Sequence, residues 1–299
     1  MTMHAQNLAR GPGWSVYDLR CTAGPRDRPF EEQHESVCIA AVTHGTFQYR
    51  SREGRALLVP GAVLLGNHGR CFECGHEHGI GDRCLSFHFR PDYWEAVIGT
   101  VPGARTATFA VPRLPPSTAL IPLIAMVEAA CRDRSGMELE ELALRFAGAV
   151  TAVFAESDRA VARSSRRDER RISDAVRRIE AEEHEPSDEP LSLTGLARGV
   201  AMSPCHFLRT FRQVVGMTPH QFVLRTRLHR AAVRLRRSDE WVSAIAFDAG
   251  FNDLSTFNRR FRRVIGVSPS AYRTGRESVP PPPPPVNRGG FRPRAPGSG

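Results

Sequence analysis

The chain has 299 residues, 41% hydrophobic and 24% charged. That is enough apolar material for sizeable cores in about two domains, and it excludes global disorder. All 41 residues in the Lys+Arg total are arginine, and the formal net charge of +9 points to an acidic partner, nucleic acid or an anionic surface.

Met1 to Trp14 contain no apolar segment of a secretory signal. No run approaches the roughly 20 apolar residues of a membrane span. Seven cysteines, an odd number, argue against a disulfide framework. The expectation is a cytoplasmic protein with no membrane partner.

Residues 14–90 read as β structure, with apolar, β-branched or aromatic runs at 36–43, 46–50, 56–59, 62–65 and 84–89. His44-Gly45, Glu53-Gly54 and Pro60-Gly61 punctuate them as turns. Short strands at this spacing predict a small sandwich or barrel. A short helix is predicted over 92–99, then a proline-rich connector over 100–116. Two helices follow, over 117–132 (Leu120, Ile124, Val127 and Cys131 on one face) and 138–156 (Leu139, Leu142, Phe146 and Val150). Their apolar faces suit packing within the chain or across a homodimer. A polar hinge at 157–168 precedes a helix over about 169–184. The tail, with a six-proline run at Pro280 to Pro285, reads as polyproline II or coil.

The charge is concentrated. Residues 191–276 hold 15 Arg against 4 acidic residues, net +11, whereas residues 1–162 hold 16 Arg against 18, net −2. The same basic segment contains a duplication. Phe207-Leu-Arg-Thr-Phe-Arg-Gln-Val-Val-Gly-Met-Thr-Pro219 aligns with Phe257-Asn-Arg-Arg-Phe-Arg-Arg-Val-Ile-Gly-Val-Ser-Pro269 at an offset of 50, and Leu196-Ala197 aligns with Ile245-Ala246 at 49. The second copy therefore carries one extra residue in its turn.

Each copy reads as helix, tight turn, helix. Ser203 and Asp253 stand at the N-caps of the second helices, with Pro204 at the first helical position of copy one. Gly216 and Gly266 stop those helices ahead of a proline. Gly250 suits the second turn, whereas Ala201 stands at the matching place in the first, so that turn must close without glycine.

At 100° per residue, Phe207, Phe211 and Val214 form a buried stripe, with Cys205, Arg209 and Arg212 opposite. In copy two, Phe257, Phe261 and Val264 are buried, with Ser255, Arg259 and Arg262 opposite; His206 and Thr256 flank these faces. An apolar face docked on its own domain and arginine donors opposite suit a helix that reads the major groove, since arginine can contact guanine bidentately. Leu224, Leu228, Ala231 and Leu235 mark a helix linking the copies.

With Gly250-Phe251 and Gly266-Val-Ser-Pro-Ser-Ala-Tyr-Arg273 added to these motifs, residues 170–275 resemble the DNA-binding domain of the AraC/XylS family of bacterial transcription regulators. The resemblance covers about a third of the chain. It implies an α+β protein: a cupin-like β domain with a helical connector, and a C-terminal all-α domain with two helix-turn-helix motifs. The corresponding boundaries are a sensor over 1–110, a connector or dimerisation region over 111–165, a DNA-binding domain over 166–276 and a disordered Pro-rich tail over 277–299. The resemblance places base-reading positions at Cys205, His206, Leu208 and Arg209, and at Ser255, Thr256 and Arg259. Arg212 and Arg262 join them from the helical wheel. The implied partners are double-stranded promoter DNA and RNA polymerase, in a cytoplasmic, nucleoid-associated protein that is not an enzyme, with a small-molecule or metal effector.

Cys71, Cys74, His76, His78 and Cys84 crowd one stretch. Cys-x-x-Cys followed by His and Cys is compatible with tetrahedral zinc or another metal ion, and His-x-His is similar to the metal motif of cupins, although the glutamate and distant histidine of that motif are not at the usual spacing. A metal site, a thiol redox sensor and a structural hairpin all remain open for this cluster. A cupin-type metal oxygenase lacks its ligand set, and an alkyl-transferring repair sensor lacks its cysteine spacing. No phosphate-binding glycine loop or nucleophile elbow occurs, and His34 reads as structural.

Overall fold

The computed structural model describes residues 3–29, 31–77, 81–101, 106–131, 136–156, 164–182 and 191–275. His78, the 277–299 tail and most of the expected hinge lie outside the described residues.

The chain opens with a hairpin of β1 (Met3–Gly11) and β2 (Trp14–Cys21), followed by the short β3 (Glu31–Gln33). Then come β4 (Val37–His44), β5 (Phe47–Ser51), β6 (Gly54–Leu58), β7 (Val63–Gly66), β8 (Cys71–Gly75) and β9 (Asp82–Phe89). Helix α1 (Pro91–Gly99) leads to the two-residue β10 (Arg113–Leu114), then α2 (Ile121–Ala130), α3 (Gly136–Glu156) and α4 (Arg166–Glu182). Helices α5 (Leu193–Gly199), α6 (Pro204–Val215), α7 (Pro219–Arg237), α8 (Val242–Asp248), α9 (Leu254–Ile265) and α10 (Pro269–Arg273) complete the described chain.

The strands form two antiparallel sheets, ordered β1-β2-β9-β4-β7-β10 and β3-β8-β5-β6. This is the α+β arrangement the sequence predicts, with an antiparallel β domain followed by helices. Strand β4 shows why the sheets face as they do. Val37, Ile39 and Ala41 join a core with α1, α2 and α3, while Cys38, Ala40 and Val42 point the other way into a second core. Both faces are covered, so the strand is a continuous apolar run. Strands β1, β2, β3, β8 and β10 fall outside the apolar runs that mark strands in the sequence. Most of β1 is exposed and held by backbone pairing to β2, so hydrophobic alternation could not reveal it.

The second core does not stop at the β domain. Phe47, Leu58 and Leu64 belong to the same cluster as Ile172, Ile179, Phe207, Phe211 and Phe222 of the helical region. Helix α2 is shared too: Ile124 and Val127 pack on the β side, whereas Ile121 and Ala125 pack with Leu228, Phe257 and Phe261. The apolar faces of α2 and α3 are thus used within the chain. Cys131, expected on the buried face, is only partly buried. Helix α4 starts at Arg166, three residues earlier than expected, with Ser165 accepting a hydrogen bond from the backbone N–H of Asp168 at 3.1 Å.

Candidate nucleic-acid interface and the sites behind it

Helix α6 begins where the Ser203 side chain accepts from the backbone N–H of His206, and α9 where Asp253 accepts from that of Thr256. Both end on a left-handed glycine, Gly216 and Gly266, each at φ 95°. The preceding turns differ as the sequence requires. Gly250 takes φ 76°, and Ala201 takes φ 51°, the sole positive φ at a non-glycine among the described residues. The left-handed region costs an L-residue about 1–2 kcal/mol.

The buried side of α6 carries Phe207, Thr210, Phe211, Val214 and Val215; that of α9 carries Phe257, Phe261 and Ile265. Val264 is only half-buried, and Ile265 takes its place as the third apolar anchor. The duplication also runs further than the sequence motifs. Phe211 meets Phe222 edge to face at 5.8 Å, and Phe261 meets Tyr272 in the same way at 5.7 Å. Phe222 and Tyr272 are again 50 residues apart, each following a capped proline start, Thr218-Pro219 and Ser268-Pro269. The shift from Phe to Tyr hid this pair from identity matching.

On the outer side, Cys205, Leu208, Arg209 and Arg212 are exposed with His206 half-buried; Ser255, Arg259 and Arg262 are exposed with Thr256 half-buried. Arg259 donates to the Thr256 hydroxyl at 3.5 Å. The side chains of Arg209, Arg212 and Arg262 have no polar partner among the described residues, so their donors remain available. Other arginines are committed to the fold. Buried Arg113 of β10 donates to the Val214 carbonyl at the end of α6, and buried Arg225 of α7 donates to the Gly61 carbonyl of the β domain at 3.1 Å. Burial lowers their pKa values to about 10 and about 9. Trp241, 82% exposed at the start of α8, is an outward aromatic that sequence periodicity did not mark.

Glu128 of α2 forms a second joint. It accepts from Arg83 of β9 at 2.6 Å and from His229 of α7 at 2.9 Å. Burial alone would raise its pKa, but His229, Arg83 and Arg237 bring it down to about 2. A cavity of about 660 Å³ lies along this seam, between the β domain and α7.

The cysteine–histidine cluster is only partly assembled. Cys71 is exposed on β8, Cys74 is half-buried on the same strand, and Cys84 is buried on β9. Desolvation pushes the Cys74 and Cys84 thiols up, the opposite of a reactive thiolate. Of the five residues singled out, His76 alone joins a group with metal-ligand spacing among the described residues, and its companions are Cys21 and Asp82. Burial would lower the His76 pKa, but hydrogen bonds with Asp82 and Cys21 carry it up to about 9. The sequence missed Cys21 because it lies some fifty residues upstream, brought in by the pairing of β2 with β9. His34 is structural as expected: it is buried, hydrogen-bonded to the Tyr49 hydroxyl at 2.9 Å and stacked on Phe72.

Residues 196–275 match the family described as a helix-turn-helix domain. The chain is 42% identical over 78 residues to an HTH-type transcriptional regulator of Mycobacterium tuberculosis, covering 26% of this chain and 30% of that protein. It is 39% identical over 90 residues to the HTH-type transcriptional activator RhaS of Escherichia fergusonii, covering 30% and 32%. Among solved structures, the DNA-binding domain of AdpA, in complex with a target DNA, is 30% identical, covering 35% of this chain and 90% of that one at a TM-score of 0.32. The match thus spans about a third of the length of these curated relatives. Among the described residues, no helix is long and apolar enough to cross a membrane. Residues 196–275 of this chain form a helix-turn-helix domain.

Proposed function

We propose that this protein is a sequence-specific, double-stranded-DNA-binding transcription regulator whose activity is modulated through its N-terminal β domain. The observation that carries the reading is the pair of repeat-related helices, α6 and α9. Each is anchored by aromatic side chains and presents an arginine pair, Arg209/Arg212 and Arg259/Arg262, to solvent. In this reading Cys205, His206, Leu208 and Arg209 face one major-groove segment, and Ser255, Thr256 and Arg259 the next. Leu208, which lacks a polar group, contacts a thymine methyl or the groove wall. Helix α7 separates the two and spans about 28 Å at 1.5 Å per residue, a length suited to successive turns of one DNA face, which repeat about every 34 Å. The shared core gives the β domain a direct mechanical hold on α6 through Arg113 and Val214.

Enrichment of DNA bound from a randomised pool tests this. The expected result is one motif with two half-sites. Arg209→Ala and Arg259→Ala should each cost about 1–3 kcal/mol on that motif and relax preference at one base step within one half-site. Affinity should fall steeply with salt, with a log–log slope near −5 if about six phosphates are neutralised. A pool that yields no motif sinks the proposal.

A further inference from the structure

We propose that Cys21, His76 and Asp82 together bind one divalent transition-metal ion of the zinc class. The three side chains come from separate segments: the last residue of β2, the loop after β8 and the first residue of β9. Cys21 and Asp82 are direct cross-strand partners in the antiparallel pairing of β2 with β9, and His76 reaches them from the other sheet. Their ligand atoms all lie within 4.8 Å of one another. Tetrahedral zinc with bonds of about 2.0–2.3 Å sets its ligand atoms roughly 3.3–3.7 Å apart. His76 Nε2 and Asp82 Oδ2, now 2.9 Å apart in a hydrogen bond, need to open by only about half an ångström to admit the ion.

The chemistry of the set selects the ion. One sulfur, one imidazole and one carboxylate suit zinc and its neighbours, whereas magnesium and calcium prefer all-oxygen shells. The site is withdrawn from bulk water: the His76 and Asp82 side chains are 6% and 8% exposed, and Cys21 is buried. The His76 ring stacks against Phe47 with centroids 6.1 Å apart, which restrains its orientation. The backbone is fitted closely as well. A Cβ placed on Gly81 would come within 2.6 Å of the Cys21 carbonyl oxygen, so glycine at position 81 permits this close approach to Cys21.

Three protein ligands leave one tetrahedral position for water or a small molecule. Cys21 and Asp82 line both the cavity of about 720 Å³ inside the β domain and the seam cavity. Binding forms the metal–sulfur and metal–nitrogen bonds and releases to solvent both the Cys21 thiol proton and the proton that His76 Nε2 shares with Asp82, with no change of oxidation state. Only His76 is shared with the His-x-His motif; Cys21 and Asp82 lie outside it. The site stands independently of DNA binding.

The test uses the full chain, purified without a histidine tag, stripped with chelator and titrated with zinc and with cobalt(II). The expected result is one ion per chain and a thiolate-to-cobalt charge-transfer band. Cys21→Ser should abolish that band, and Cys21→Ser and Asp82→Asn should each weaken binding at least tenfold. Cys71→Ser and Cys205→Ser should leave both measurements unchanged. Circular dichroism identifies any variant that fails to fold, in which case the wild-type cobalt spectrum decides. Less than stoichiometric binding by the wild type, a spectrum without the thiolate band, or its retention in Cys21→Ser overturns the proposal.

Discussion

Glu128 offers the sharpest test of how the two halves are joined. Its carboxylate, 13% exposed, touches Arg83 of the β domain and His229 of α7, and Arg237 of α7 donates to its backbone carbonyl. The fall in its pKa from the ordinary 4.5 to about 2 corresponds to roughly 3 kcal/mol favouring the ionised form in the folded chain. Glu128→Gln keeps the shape and one acceptor but removes the charge. Arg83 retains Asp18 at 2.8 Å, which limits the damage. The expected loss at pH 7 is therefore about 2–3 kcal/mol, within the range for breaking a buried pair. Because the folded-state pKa is depressed, wild-type stabilisation is complete above about 4.5 and disappears as pH falls through about 2. The gap between wild type and variant should accordingly shrink on acidification. Urea unfolding, followed by tryptophan fluorescence and circular dichroism at a series of pH values, measures it. A variant within about 0.5 kcal/mol of wild type at pH 7, or a gap that does not change with pH, would refute the assignment of Glu128 as a charged joint.

Ala201 and Gly250 make a mirrored pair at the two turns. Ala201→Gly should stabilise the chain by about 0.5 kcal/mol, because relief of the left-handed backbone exceeds the added unfolded-state entropy. Gly250→Ala should destabilise it by about 1 kcal/mol, and equal effects of the same sign in thermal unfolding would contradict the turn geometry. His34 and His88 have pKa values lowered by burial from 6.5 to about 4, so the unfolded chain takes up more protons between those limits. Stability should fall as pH drops from about 6.5 toward 4, and His34→Gln, tested by the same unfolding assay, should flatten that slope. Arg113→Met should leave the exposed arginines of α6 and α9 untouched yet release the end of α6 from the β domain; faster proteolysis of the 191–275 region at unchanged secondary structure is the expected readout, and an unaltered digestion pattern would remove Arg113 from the coupling.

The duplicated helix-turn-helix could be read from residues alone because its determinants are local. Caps at Ser203 and Asp253, glycine stops at Gly216 and Gly266, and phenylalanines four residues apart act within one or two helical turns. The apolar runs of β4 and β9 were legible for the same reason, whereas the mostly exposed β1 was not. What only tertiary structure decided are contacts between residues far apart in sequence. Strand pairing carried Cys21 to Asp82 and left Cys71 exposed, so proximity in sequence could not show that Cys21, His76 and Asp82 lie together. Likewise, the faces of α2 are apolar by composition, but their division between the β domain and the second helix-turn-helix depends on where α7 lies. Sequence determined that this protein has a basic, twice-repeated helical unit and a β domain. Folding determined that the β domain shares one core with the first copy while the second copy packs on α2 and α7, because side-chain burial depends on chain crossings that periodicity does not encode.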